Sequence, residues 1–255
     1  MDFNNNDYNY GVQNDMGSAF PSGGYEAVST NPFVGVNVAD ENTVLMKVFK
    51  WMAIGLAISA VCALGGAILV PPQIIVTATI PLAIIELILV FVFTFNINKM
   101  SAGAAKACFI AYSAINGLTL SYIFLIYVTG SIYTTFFIAA AMFGAAALYG
   151  KVTQKDLSGM GSFLFMGLIG LIIAGIVNIF IQNSMLDFVV SLVGIIIFVA
   201  LTAYDVQKIR NFSQEVGLQS NEQVSRVVIY GALSLYLDFI NIFLKLLKFF
   251  GKRKN

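Results

Sequence analysis

The sequence predicts an all-α membrane protein, a bundle of seven transmembrane helices. Three observations carry that expectation. Of the 255 residues, 58% are hydrophobic and only 11% are charged, against about a quarter charged in soluble domains. The apolar residues fall into seven runs, most of them near the ~20 residues that cross ~30 Å of hydrocarbon. No run alternates with period two over strand-length segments. A backbone in lipid must satisfy its own hydrogen bonds, so helices are expected rather than a barrel.

Composition also excludes functions. A net charge of +1 gives no footing for a nucleic-acid partner, and the absence of histidine removes imidazole metal sites and His-based triads. Cys62 and Cys108 lie inside apolar runs, as small core residues, and imply no disulfide framework. The partner that the composition does imply is a lipid bilayer.

In chain order, residues 1–43 are rich in Asn, Gly, Ser and Tyr and contain Pro21 and Pro32. They are expected to form a disordered cytoplasmic leader, with Tyr8, Tyr10 and Tyr25 available to a partner. Asp40, Glu41, Asn42 and Thr43 offer N-caps for the first helix. The first apolar run begins near Leu45, so no ordinary signal peptide is expected and the first helix serves as an uncleaved insertion signal. The membrane domain then spans 44–250, and residues 251–255 form a basic tail.

The seven segments are placed at Leu45–Val70, Gln73–Phe95, Ala104–Val128, Ile132–Tyr149, Ser162–Ile181, Leu186–Val206 and Val227–Phe250. Pro71-Pro72, Asn96–Gly103, Thr129-Gly130, Gly150–Gly161, Gln182–Ser184 and Gln207–Arg226 break them. Gly55, Ser59 and Ala63 recur every fourth residue, and the fourth segment is rich in Ala and Gly. Small residues at such spacing let membrane helices approach closely. Pro81 falls inside the second segment, where a kink is expected.

Lys and Arg set the expected topology. Lys47 and Lys50 flank the first segment. Lys99 and Lys106 lie at the 2–3 link, Lys151 and Lys155 at 4–5, and Lys208, Arg210 and Arg226 at 6–7. The alternate links carry none, which puts the N-terminus in the cytoplasm. The C-terminal end disagrees. It carries Lys245, Lys248, Lys252, Arg253 and Lys254, yet seven full crossings place it outside. A full crossing by the last segment is the expectation retained.

That last segment carries Ser234, Asp238, Asn241, Lys245 and Lys248 on one helical face, at steps of four, three, four and three. Six other helices are expected to supply what this stripe faces. Three carboxylates remain inside the runs: Glu86, Asp205 and Asp238. An ionised side chain at the bilayer centre costs ~2.5–3.5 kcal/mol or more, so such groups face the interior, find partners or take up a proton. Asp205 and Asp238 lie on consecutive, antiparallel segments and are candidates for a pair. Two adjacent carboxylates cannot both ionise cheaply and titrate as a unit, which makes a proton switch. The ionised pair is also a hard-oxygen site suited to Ca²⁺. The segment boundaries put Asp238 about 17 Å of helix deeper than the segment's start, while Asp205 lies near the end of its own. Contact between them requires one helix to be displaced. Glu86 is read either as a functional acid or as a buried, protonated acid bonded to a neighbouring helix.

At ALSLYLDFINIFLKLLKFFG (232–251) and YDVQKIR (204–210) the chain resembles the Bax inhibitor-1, or transmembrane Bax inhibitor motif, family and its bacterial YccA/YetJ-like branch. PLAIIELILVF (81–91), INGLTLSYIF (115–124), KDLSGMGSFL (155–164) and GIVNIF (175–180) add support. The resemblance covers about 44–250. It implies six helices around a central seventh. It implies that Asp205 and Asp238 match the paired aspartates that sense pH and gate a calcium leak, and that Glu86 matches an acidic residue of the ion path. A bacterial relative carries an arginine at the 2–3 junction that contacts the aspartate of helix six. This chain reads NINKMSAGAAK there, leaving Lys99 and Lys106 as the candidates to replace it, without the arginine's planar fork.

The function so implied is a pH-sensitive calcium leak channel or transporter with no resident cofactor, calcium and protons being what it handles. The bacterial-type motifs favour a plasma membrane. The alternative is a regulator or binding partner of a membrane protease or of a stress or cell-death pathway. An enzyme is the weakest reading. Tyr204-Asp205 is similar to the YD of intramembrane aspartyl proteases, but Tyr-Leu-Asp stands at 236–238 where those proteases require Gly-x-Gly-Asp.

Overall fold

A computed structural model describes residues 41–97, 99–215 and 221–254. The leader expected over 1–43, apart from its last three residues, and the N-cap candidate Asp40 lie outside these. The described chain folds into seven α-helices: α1 (Glu41–Leu69), α2 (Pro72–Asn96), α3 (Ala102–Ile126), α4 (Thr129–Val152), α5 (Ser158–Ile181), α6 (Ser184–Glu215) and α7 (Asn221–Phe250). All seven are long and apolar enough to cross a membrane, and the protein is a multi-pass membrane protein.

Local chemistry sets the boundaries. Ser101 caps α3 by accepting from the Ala104 N–H at 3.2 Å. The α5–α6 turn is made by Gln182 at φ 52°, and the Asn183 side chain accepts from the Met185 and Leu186 N–H groups at the start of α6, as an N-cap does. Pro72 opens α2, where a missing N–H costs nothing, and α2 continues through Pro81. The largest departure from the expected segments is α6. It runs nine residues past Val206, because Gln207–Glu215 is rich in residues that favour a helix once apolarity ends. This extension also clamps the α4–α5 link. Gln207 accepts from the Leu157 N–H and donates to the Lys155 carbonyl, both at 2.8 Å, and Arg210 donates to the Lys151 carbonyl at 2.6 Å.

The helices are nested. Of the apolar window of α7, 67% is buried inside the molecule, against 11% for α2 and 6% for α5. Four helices, α1, α3, α4 and α6, pack on α7, while α2 packs on α3 and α5 on α6. α7 is thus the centre of the bundle, with four helices against it and α2 and α5 outside them. Their outer faces, with Ile80, Leu87, Phe95, Phe163 and Phe180 exposed, are what lipid requires.

Two close approaches hold the inner shell. A Cβ on Gly117 of α3 would lie 2.5 Å from the Ser59 carbonyl oxygen of α1, and one on Gly150 of α4 would lie 2.2 Å from the Ala203 carbonyl of α6. The small-residue stripe of α1 therefore meets α3, with Gly55 against Phe109 and Ser113.

The C-terminal end is tied to the α3–α4 link. Val128 donates to the Lys252 carbonyl at 2.9 Å, and Lys254 to the Ile126 carbonyl at 2.7 Å. The Lys252 N–H donates to the Ser131 hydroxyl. Lys254 Nζ donates to the Phe124 carbonyl at 2.7 Å, at the C-terminus of α3, where a cation complements the helix dipole. α7 therefore crosses the whole bundle and ends beside a link that has no Lys or Arg of its own.

Candidate functional site: two polar centres on opposite faces of α7

The polar stripe of α7 faces one helix, α6, rather than six. Ser234 stands against Asp205 and Asp238 against Thr202. The stem of Lys245 packs under Gly194. Lys248 forms an ion pair with Asp187, which also accepts from Asn178 of α5 at 3.1 Å. Asn241 spends its amide on its own helix, donating to the Leu237 carbonyl. These pairs share one antiparallel register. They explain how Asp205 and Asp238 meet despite their unequal distances from the helix ends. The extension of α6 moves its end well beyond Asp205, and α7 slides past it. The two aspartates then stand diagonally, about one helical turn apart by register, each opposite a hydroxyl residue of the other helix.

The two carboxylates are close enough to act on each other electrostatically. Asp238 is buried, and its Oδ2 makes no hydrogen bond among the described residues. Asp205 is half-buried and lines a cavity of 280 Å³ with Ser234, Thr94, Tyr230, Lys208 and Arg226. The cation acting on Asp205 is Lys208, on its own helix. Lys106 instead stands over the Trp51 ring, 5.8 Å from its centroid.

Glu86 is placed elsewhere. Asn116 Nδ2 donates to its Oε2 at 2.9 Å and the Thr119 hydroxyl to its Oε1 at 2.5 Å. The Tyr236 hydroxyl donates to Asn116 Oδ1 at 2.8 Å and lies 2.7 Å from the Ser59 hydroxyl. Ser59 in turn lies 2.7 Å from the Ser113 carbonyl and 3.0 Å from that of Gly55. This second centre joins α1, α2, α3 and α7. Tyr236 and Asp238, two residues apart, point to roughly opposite sides of a helix, so α7 carries one polar centre on each face.

The sequence reading did not find Ser59, Asn116, Thr119, Thr202 or Tyr236 as polar partners. Ser59 was visible only as a small residue, and Tyr236 only as a flank of Asp238. Neutral side chains become functional candidates through their partners, and partners on other helices carry no sequence spacing.

A family model described as "Inhibitor of apoptosis-promoting Bax1" matches residues 41–255. The chain is 42% identical over 219 residues to the "Inner membrane protein YbhL" of Escherichia coli K12, covering 83% of this chain and 92% of that protein. It is 44% identical over 220 residues to an uncharacterised protein of Borreliella burgdorferi, covering 84% and 94%. A Deinococcus radiodurans protein, also uncharacterised, is 40% identical over 216 residues, covering 83% and 91%.

Proposed function

Because this chain belongs to the "Inhibitor of apoptosis-promoting Bax1" family, we propose that it is a pH-sensitive calcium leak pathway, a conduit rather than an enzyme, gated by Asp205 and Asp238. The observation that carries this reading is the proximity of the two carboxylates between α6 and α7, one lining a cavity and the other buried with an oxygen that has no partner among the described residues. Sharing one proton, the pair is an attractive contact between the central helix and its main neighbour. Without that proton two like charges face each other, and α6 and α7 are pushed apart. The same two carboxylates, with the oxygens of Ser234 and Thr202 beside them, are hard donors for a passing Ca²⁺. That Asp205 lines this cavity supports an entry on its side of the pair.

The name of the Escherichia coli relative supports an inner (plasma) membrane. The Lys and Arg of the 2–3, 4–5 and 6–7 links support a cytoplasmic N-terminus.

The test is Ca²⁺ flux into liposomes carrying the protein, measured against pH. The wild type is expected to change its flux across the range in which the pair titrates. Asp205→Asn and Asp238→Asn are each expected to flatten that dependence. Flux that keeps its pH profile in both variants would sink the reading.

A further inference from the structure

A count of hydrogens along the second polar centre has a consequence that the aspartate pair does not share. Four short contacts run in series: Glu86–Asn116, Asn116–Tyr236, Tyr236–Ser59 and Ser59 to the Ser113 carbonyl. A carbonyl only accepts, so the last contact requires the Ser59 hydrogen. For the Tyr236–Ser59 contact to be made as well, it must use the Tyr236 hydrogen, and the Asn116–Tyr236 contact an amide hydrogen of Asn116, the reverse of the donor directions described above. That turns the amide oxygen toward Glu86, where the first contact holds only if Glu86 supplies a hydrogen itself. With an ionised Glu86 the amide faces as described above, Asn116 donating to the acid and Tyr236 to Asn116, and Ser59 has one hydrogen for its two short contacts, to the Tyr236 and Ser113 oxygens at 2.7 Å, besides its longer one to the Gly55 carbonyl at 3.0 Å. One buried contact is then left without a hydrogen, which carries the cost of an unmade bond.

We propose that Glu86 is a proton-binding site, separate from the aspartate pair, whose occupancy is read by the central helix through a reversible chain of hydrogen bonds from Asn116 to Tyr236 to Ser59. When Glu86 takes a proton from solvent onto Oε2, the Asn116 amide turns by half a rotation and the Tyr236 and Ser59 hydroxyls reverse direction. Each hydroxyl keeps its own hydrogen, and no proton travels along the chain. Thr119 donates to Oε1 in both states. With the proton bound, all four contacts are made, and α1, α2, α3 and α7 are fastened together. Without it, the Ser59 end is loosened, on the face of α7 that points away from α6.

Tyr112 of α3 and Tyr236 of α7 face Glu86, and Cys62 of α1 faces Tyr236. The ion pairs among the described residues, Arg226–Glu222 and Lys248–Asp187, are elsewhere.

Infrared spectroscopy of the full chain in lipid vesicles at neutral pH tests the proposal. An Asp205→Asn, Asp238→Asn background removes the carboxyls of the aspartate pair. A neutral carboxylic-acid carbonyl band is expected, and its loss in Glu86→Gln assigns it. Ser59→Ala does not touch Glu86, yet it frees Tyr236 to donate to Asn116 and lets the amide serve an ionised acid. The band is therefore expected to weaken there. Tyr236→Phe, which removes the hydroxyl joining Asn116 to Ser59, is expected to do the same and poses the question again should Ser59→Ala not fold. Absence of a Glu86-dependent band with the network intact, or a band of undiminished strength in both hydroxyl variants, would overturn the proposal. Neither result depends on calcium flux, so the two readings can fail separately.

Discussion

Gly117 shows how little room separates α1 from α3. A side chain there meets the Ser59 carbonyl at 2.5 Å and Cys62 Cβ at 2.6 Å, both on a rigid helix. Gly117→Val is expected to cost about 1–3 kcal/mol by overpacking and to lower the melting temperature in detergent. Gly144→Val, where a Cβ meets nothing within 4 Å, serves as the control and is expected to leave it nearly unchanged. Equal effects of the two would mean that the α1–α3 contact is not the tight one. At this scale the acids were legible in the sequence, because a carboxylate in an apolar run is conspicuous on desolvation grounds alone. Their hydroxyl and amide partners were not. Asn116 and Tyr236 are unremarkable in their own helices, and only the meeting of α3 with α7 joins them.

Between elements, the α6–α7 register is the arrangement on which the candidate site rests. The stripe on α7 could be read from its spacing. That α6 faces it could not, because which helix meets which face is a property of pairs of helices, and the apolar segments ended α6 at Val206, nine residues before its true end at Glu215. Hydropathy locates where lipid ends and says nothing of how far a helix continues into water. The register is open to cross-linking. Asp205→Cys combined with Ser234→Cys is expected to form a disulfide under mild oxidation, and Asp205→Cys with Ile242→Cys, two turns further along α7, is not. A disulfide in the second pair and none in the first would refute the arrangement.

Across the whole molecule, the basic C-terminus sets two rules against each other. The preference of Lys and Arg for the cytoplasmic side pulls the end of α7 back, and seven crossings push it out. Lys252, Arg253 and Lys254 are occupied with the α3–α4 link: backbone bonds join 252 and 254 to 126–128, Arg253 bridges to Tyr127, and Lys254 caps α3. Single cysteines at Lys155→Cys, on the α4–α5 link, and Lys252→Cys, in a background lacking Cys62 and Cys108, are expected to react with a membrane-impermeant thiol reagent from opposite sides. Labelling of both from one side would show that α7 does not cross. The same assembly gives α7 its two polar faces, one toward α6 and the aspartate pair and one toward α1, α3 and the Glu86 chain.

What the sequence by itself determined is the class of molecule and its central helix. Hydropathy decides that seven segments must be helices in lipid, periodicity decides that the last is the one with a polar face, and desolvation marks Asp205, Asp238 and Glu86. Each of these is a one-body property, set by a residue and its near neighbours in the chain. Only the tertiary structure decided that the aspartates meet one turn apart, that Glu86 belongs to a different centre, and that a tyrosine and a serine complete it. Those are properties of pairs on different helices. Their energies depend on register and on which face meets which, and backbone contacts such as that of Gly117 with Ser59 set both.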